Sequence, residues 1–194
     1  MQAGAGFEVR EIMIEDIPFL TPIGKGQLGV DYISDADFEE AISDPGQFCL
    51  TPVVDGVPAG FAICREFGPE SEPEELALPD SGYRDWVRSR VRIGLVDSVA
   101  LSPSVGGRGI GKALCEACLE RFSDDGCDSA VSMAWVHEDG VEPIRKALTQ
   151  SGFERTDLVI RGYWNSWVDT EGGHMCPYCG SPCRCSGALW RRSL

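Results

Sequence analysis

The chain has 194 residues, 43% of them hydrophobic and 25% charged, with 23 glycines and 12 prolines, which suits a globular protein with one sizeable core. No window nears eighteen consecutive apolar residues, which excludes a transmembrane helix, and the first residues lack the basic and apolar regions of a secretory signal. With 31 acidic and 17 basic side chains, the formal charge of −14 disfavours nucleic acid and anionic membranes and favours a cationic small molecule or basic peptide.

In chain order, Phe7 to Ile14 alternates enough to predict a strand. Glu15-Asp16 opens a helix carrying Ile17, Phe19 and Leu20, with Pro18 tolerated in its first turn. Gly24 to Gly29 (GKGQLG) reads as a loop, and Asp35 to Ser43 as a short helix with Phe38 and Ile42 on one face. Gln47–Val54 and Pro58–Phe67 are strands around the hairpin signal Asp55-Gly56. An acidic, proline-rich stretch (68–80) precedes a short helix near Asp85–Arg90. Val91–Leu101 is the longest strand-like run, stopped by Pro103. A helix from about Gly109 to Phe122, a strand Ser129–Val136, a helix Pro143–Gln150 and one or two strands within Phe153–Trp164 complete an α/β unit over residues 1–167. Residues 168–194 differ in composition: a linker at 169–173 leads into a cysteine-rich tail.

Nine cysteines, an odd number, without an export signal point to reduced thiols in a cytoplasm. Cys115 and Cys118 form a CxxC inside a predicted amphipathic helix, where Cys packs as a small hydrophobe.

The run Ser102–Leu114 (SPSVGGRGIGKAL) sits between the long strand and a helix. Its glycines permit close backbone approach, and the helix start offers free N–H groups to a pyrophosphate. Lys112 is followed by Ala113 rather than Ser or Thr, so the run is not a P-loop, and its spacing does not fit the dinucleotide fingerprint. Extended to VDSVALSPSVGGRGIGKAL, it resembles the GNAT superfamily of acyl-CoA-dependent N-acetyltransferases. Two further stretches share the likeness: Pro143–Phe153, with its late helix running into Gly152-Phe153, and PAGFAICR after the hairpin. The resemblance covers about residues 7 to 165 and implies an α/β (α+β) fold with a mixed, largely antiparallel central sheet flanked by helices.

By that resemblance Gly106, Gly107, Arg108, Gly109, Ile110, Gly111 and Lys112 would hold the pyrophosphate of acetyl-CoA, with Gly106 standing where Gln or Arg is usual. Val99, Ala100 and Leu101 would carry the acyl and pantetheine groups on the long strand, which splays from its neighbour. An amine with an ordinary pKa near ~10.4 must give up a proton before it attacks a thioester. Asp97 stands where the family often has a proton-accepting Glu, and simple alternation puts it on one face with Val99 and Leu101. The usual family Tyr is replaced by Leu148, which leaves the acid role vacant. His137 is a titrating substitute as a second catalytic candidate, and Tyr163 and Tyr83 are unplaced candidates.

Cys176, Cys179, Cys183 and Cys185 follow a Cys-x2-Cys-x3-Cys-x-Cys spacing, and CPYCG looks like half of a zinc ribbon. Four thiolates suit a structural Zn2+ with no open catalytic position. The close spacing also admits a site shared across a homodimer, a ligand swap with His174, or an iron–sulfur cluster. The expected activity is therefore acetyl transfer from acetyl-CoA to a primary amine of a small molecule, peptide or protein. Its rival is a non-catalytic acyl-CoA-binding adaptor that docks a partner through the cysteine tail.

Overall fold

A computed structural model describes residues 2–4, 6–68, 76–79, 82–167 and 173–194; most of the acidic stretch 68–80 and of the linker 169–173 lies outside them. The strands are β1 (Gln2–Gly4), β2 (Phe7–Glu11), β3 (Gln47–Val54), β4 (Val57–Pro58), β5 (Gly60–Phe67), β6 (Ile93–Leu101), β7 (Ser129–Val136), β8 (Glu154–Arg161) and β9 (Ser186–Ser193). The helices are α1 (Ile17–Leu28), α2 (Asp35–Ser43), α3 (Gly82–Arg88), α4 (Ile110–Asp124) and α5 (Arg145–Gln150). The strands form one sheet in the order β1-β2-β3-β5-β6-β7-β9-β8, with β4 pairing β3. Among the described residues only β6 and β7 run parallel. No helix among them is long and apolar enough to cross a membrane.

The central strands are buried on both faces, so they read as apolar runs rather than alternating ones. Phe48, Leu50, Ala62 and Cys64 pack under α4, against Leu114, Cys115, Cys118 and Phe122. Their sequence neighbours Cys49, Phe61 and Ile63 meet Leu20 and Phe38 of α1 and α2 on the opposite face. The helical CxxC is thus core: Cys115 and Cys118 are 1% and 0% exposed, and burial pushes the Cys115 thiol well up. Gly94 leaves room for the Phe122 ring, which would stand 2.3 Å from a Cβ there.

The stretch Gly24 to Gly29 is not a loop: α1 continues through it to Leu28. Gly24 is needed for closeness rather than for turning, since a Cβ would fall 2.3 Å from Ile33 and 3.3 Å from Phe61. Helix α2 begins at a capping box in which the Ser34 N–H and hydroxyl both donate to the Asp37 carboxylate, at 2.7 and 2.6 Å. The expected C-terminal tail divides in two. Its cysteine loop folds beside the sheet, and its last strand, β9, enters the sheet between β7 and β8. Apolar Ala188, Leu189 and Trp190 are fully buried there, which drives the insertion.

Candidate active site and cysteine centre

Strands β6 and β7 pair only from Ile93↔Ser129 to Val96↔Ser132. Beyond that point β7 keeps its bonds to β9, through Met133↔Leu189 and Trp135↔Gly187, while β6 stays with β5. A gap therefore opens between parallel neighbours, and a cavity of about 660 Å3 fills it.

At one end of this cavity lies the glycine turn. Gly107 and Gly109 have φ of +79° and +77°, so the backbone conformation favours glycine at both. The first helix-closing bond of α4 runs from Ala113 N to Gly109 O at 3.1 Å. The N–H groups of residues 110–112 thus lack helical partners and carry the positive end of the helix dipole. Gly106, Gly107, Gly109, Ile110, Gly111 and Lys112 all line the cavity, as do Val99, Ala100 and Leu101. Arg108 does not; its guanidinium lies instead against Gly6, 3.2 Å from where a Cβ would stand.

Asp97 does not share a face with Val99 and Leu101. The β5–β6 register slips between Ile63↔Ser98 and Cys64↔Val96, so Asp97 is an extra, bulged residue. The bulge inverts the alternation: Val99 and Leu101 pack toward α4, while Asp97 turns to the face of Leu95 and Ile63. There it meets Arg65, with Nε 3.5 Å from Oδ2. Asp97 borders both the large cavity and an adjoining one of about 350 Å3 on that face.

His137, just past β7, lines the large cavity. Its ring stacks on Tyr178 of the cysteine loop at 4.0 Å between centroids. Burial lowers its pKa below the ordinary value, opposed by the Asp139 carboxylate. Leu148 is fully buried in the core under α4 and does not border the cavity. Tyr163 lines the smaller cavity, whereas Tyr83 bonds Asp157 on α3's side of the molecule and borders neither. Tyr32, from the connection between α1 and α2, borders both cavities. Loss of solvent around its hydroxyl, then the nearby Asp97, push its pKa up, so it stays protonated; a hydrogen bond with Ser98 opposes this. Tyr32, Trp135, Trp164 and His174 were not singled out as cavity residues from the sequence; the one available signal was aromatic residues standing at element ends.

The cysteine loop folds against this same end. Cys176, Cys179, Cys183 and Cys185 gather their sulfurs within 4.8 Å of one another. Individual separations are 3.6 Å (179–185), 3.8 Å (179–183) and 3.9 Å (176–185). A tetrahedron with metal–sulfur bonds of about 2.3 Å has edges of about 3.8 Å. Backbone N–H groups point at the sulfurs: Tyr178 and Cys179 to Cys176 at 3.4 and 3.3 Å, and Arg184 to Cys179 at 3.2 Å. Burial alone would raise the Cys179 pKa, but the Arg184 N–H and the neighbouring sulfurs bring it below the usual thiol value. His174 is not part of the sulfur group; it faces Asp31, Nδ1 to Oδ1 at 3.2 Å, and the cavity. The loop is tied down on three sides. Met175 N donates to Asp31 (2.9 Å), Tyr178 to Asp139 (2.6 Å), and Asn165 accepts from the N–H groups of His174 and Cys183 (3.1 and 2.9 Å). Gly29 permits the approach, since a Cβ there would lie 2.5 Å from His174.

Residues 11–153 match the family model described as the Acetyltransferase (GNAT) family. No curated protein matches the chain. Among solved structures it is similar in fold to Arabidopsis thaliana NAA60 in complex with acetyl-CoA (13% identity, 97% of this chain and 98% of that one, TM-score 0.68). It is also similar to Ard1 from Thermoplasma volcanium (16%, 98% and 99%, TM-score 0.65). A third is the ribosomal-protein-S18-alanine N-acetyltransferase from Escherichia coli (14%, 96% and 93%, TM-score 0.61). With a family match over most of its length, a splayed pair of parallel strands and an open helix end facing one cavity, the chain belongs to the GNAT family and is an acyltransferase of the fold that carries acetyl from acetyl-CoA to an amine.

Proposed function

We propose that the chain transfers the acetyl group of acetyl-CoA to a primary amine by direct attack in a ternary complex. The observation that carries this reading is the continuity of one cavity from the open end of α4 to the gap between β6 and β7. The pyrophosphate rests on the amides of Gly107 to Lys112, and the thioester lies along the edge of Val99–Leu101 that β7 leaves unpaired. The amine enters from the side of Asp97. It arrives as an ammonium and gives one proton to the Asp97 carboxylate, with His137, held neutral by burial, as the next titrating group on the wall. The freed nitrogen then attacks the thioester carbon, and backbone N–H groups of β6 steady the oxyanion. The carbon–sulfur bond breaks, the amide nitrogen releases its second proton to solvent, and the thiolate takes one up. Incubation with acetyl-CoA and a panel of amines, following thiol release, tests the reading. Binding of acetyl-CoA with no thiol release for any amine would favour the adaptor instead.

The four cysteines fit a structural zinc ion, which would neutralise their thiolates and order the loop. Their gathering within one chain supports a self-contained site over one shared by a homodimer, so elemental analysis should give one zinc per chain. Iron with visible absorbance, or no metal under reducing conditions, would remove this part of the proposal.

A further inference from the structure

We infer that the acceptor end of the cavity is an aromatic box for a compact cationic amine head, walled by Tyr32, Trp135, Trp164 and His174. The four rings form a closed circuit. Centroids are 6.0 Å apart for Tyr32–Trp164, 6.0 Å for Trp164–Trp135, 5.8 Å for Trp135–His174 and 5.4 Å for His174–Tyr32. Successive planes are inclined by 71°, 54°, 59° and 65°, as neighbouring walls are, rather than stacked. The rings come from four separate parts of the chain: the α1–α2 connection, the end of β7, the turn after β8 and the cysteine loop.

Aromatic contacts in a core are common, and the molecule has such pairs: Phe38–Phe61 at 4.9 Å and Phe48–Phe122 at 5.2 Å. Those pairs are buried and border neither of the two cavities described, whereas all four box residues line the larger one. Two of the rings have their polar atoms engaged elsewhere: Trp164 donates its indole N–H to Ser186 O at 3.1 Å, and Tyr32 bonds Ser98. The His174 imidazole faces Asp31, Nδ1 to Oδ1 at 3.2 Å. What the rings offer a ligand is therefore π surface, which is negative on its face and attracts cations within about 6 Å of the centroid.

The charges agree. Asp97 borders the same cavity beside Tyr32, with Arg65 3.5 Å from it on the adjoining face, and Asp31 lies behind His174. Lys112 and Lys146 sit on the cavity wall with the glycine turn, at the end suited to phosphate. The cavity is thus polarised along its length, cation-binding where the acceptor enters and anion-binding where the cosubstrate lies. An ammonium carried on an alkyl or aryl group fits the box. An amine with a carboxylate on the adjacent carbon does not, because the ring faces, negative themselves, would repel it. The inference rests on the acetyltransferase reading for which substrate the box serves, but the binding itself can be measured without turnover.

The test uses two probes of nearly the same shape, choline and its uncharged analogue 3,3-dimethyl-1-butanol, titrated by calorimetry into the CoA-loaded full chain. Choline should bind at least tenfold more tightly than the neutral probe. Tyr32→Leu, at the half-buried wall, and Trp164→Leu should each abolish that preference while CoA affinity is kept. In turnover, choline should compete with the amine and not with acetyl-CoA. Equal affinity for the two probes, no choline binding, or a preference untouched by Tyr32→Leu would each overturn the box. Should Trp164→Leu fail to fold, Tyr32→Leu alone decides. Choline binding without acetyl transfer to any amine would remove the proposed reaction and leave the box. Efficient transfer by a chain that ignores choline would do the reverse.

Discussion

The two ends of the cavity are built from different materials. The end proposed for the cosubstrate is backbone: glycines of one short run, a helix start, and the unpaired edge of one strand. The acceptor end is side chain, assembled from residues 31–32, 97, 135–137, 164 and 174–178, and steadied by a cysteine loop. A backbone site depends on the path of the chain rather than on particular side chains, so long as the glycines stay. A side-chain site at the convergence of loops can be altered residue by residue, which is where specificity is set.

The sharpest way to break the contrast is at the glycine turn. Gly109→Glu forces a left-handed backbone on a bulky residue and puts a carboxylate at the phosphate site. Calorimetry should show acetyl-CoA affinity lower by about 100-fold or more, with choline binding intact. Loss of both ligands would mean that the ends are not separable.

At the other end, Asp97→Asn should lower kcat by about 100-fold, in the range for a lost general base, and leave coenzyme affinity unchanged. The rise of rate with pH should flatten. An unchanged kcat and profile would shift proton transfer to His137 or water.

Removal of the proposed zinc should have a smaller effect, confined to one end. Cys179→Ser, or a strong chelator, should weaken amine binding by about tenfold, because the loop supplies the His174 wall and the Tyr178 stack. CoA affinity should change by less than about twofold, since the loop touches none of the glycine turn. Hydrogen exchange should speed up over 173–185 while the amides of β9 stay protected. Equal losses at both ends would show the loop to be general scaffolding.

The smallest effect concerns His137. Its pKa is lowered in the folded chain, so below about pH 6.5 the unfolded chain binds more protons, and stability falls as pH drops through that region. His137→Gln should remove part of this loss. Melting at pH 7.5 and 5.5 should show a smaller drop for the variant, by about 1–2 °C. An equal drop in both proteins would assign the acid sensitivity elsewhere.

The same division explains what could be read in advance. Strands β3 and β7 and helix α2 have the bounds that periodicity and turn residues predict, and the glycine turn and cysteine spacing are local patterns. Simple alternation puts Asp97 on the wrong face because a single bulged residue, invisible in a period-two pattern, reverses everything after it. Gly24 signals a loop by type, yet serves a close helix–strand contact that only the tertiary arrangement reveals. The aromatic box has no signature at all in sequence order, since its walls are brought together by the sheet and by the cysteine loop. The apolar run in β9 was visible, but the adjacent cysteines drew the reading toward a detached tail.

The position of β9 also bears on how the chain folds. Ser129 pairs with Ser193, and Glu154 with Arg191, so β7 and β8 share no bonds with each other and both wait for a partner from far along the chain. Until residues 186–193 are synthesised and seated, each presents a row of unpaired backbone groups, a template for pairing with other chains. The long loop closures place this among the slow steps of assembly. A metal captured by the cysteines just before β9 would shorten the search by delivering that strand to its slot, so zinc-starved cells should accumulate aggregates of newly made chain before they show any loss in chain already folded.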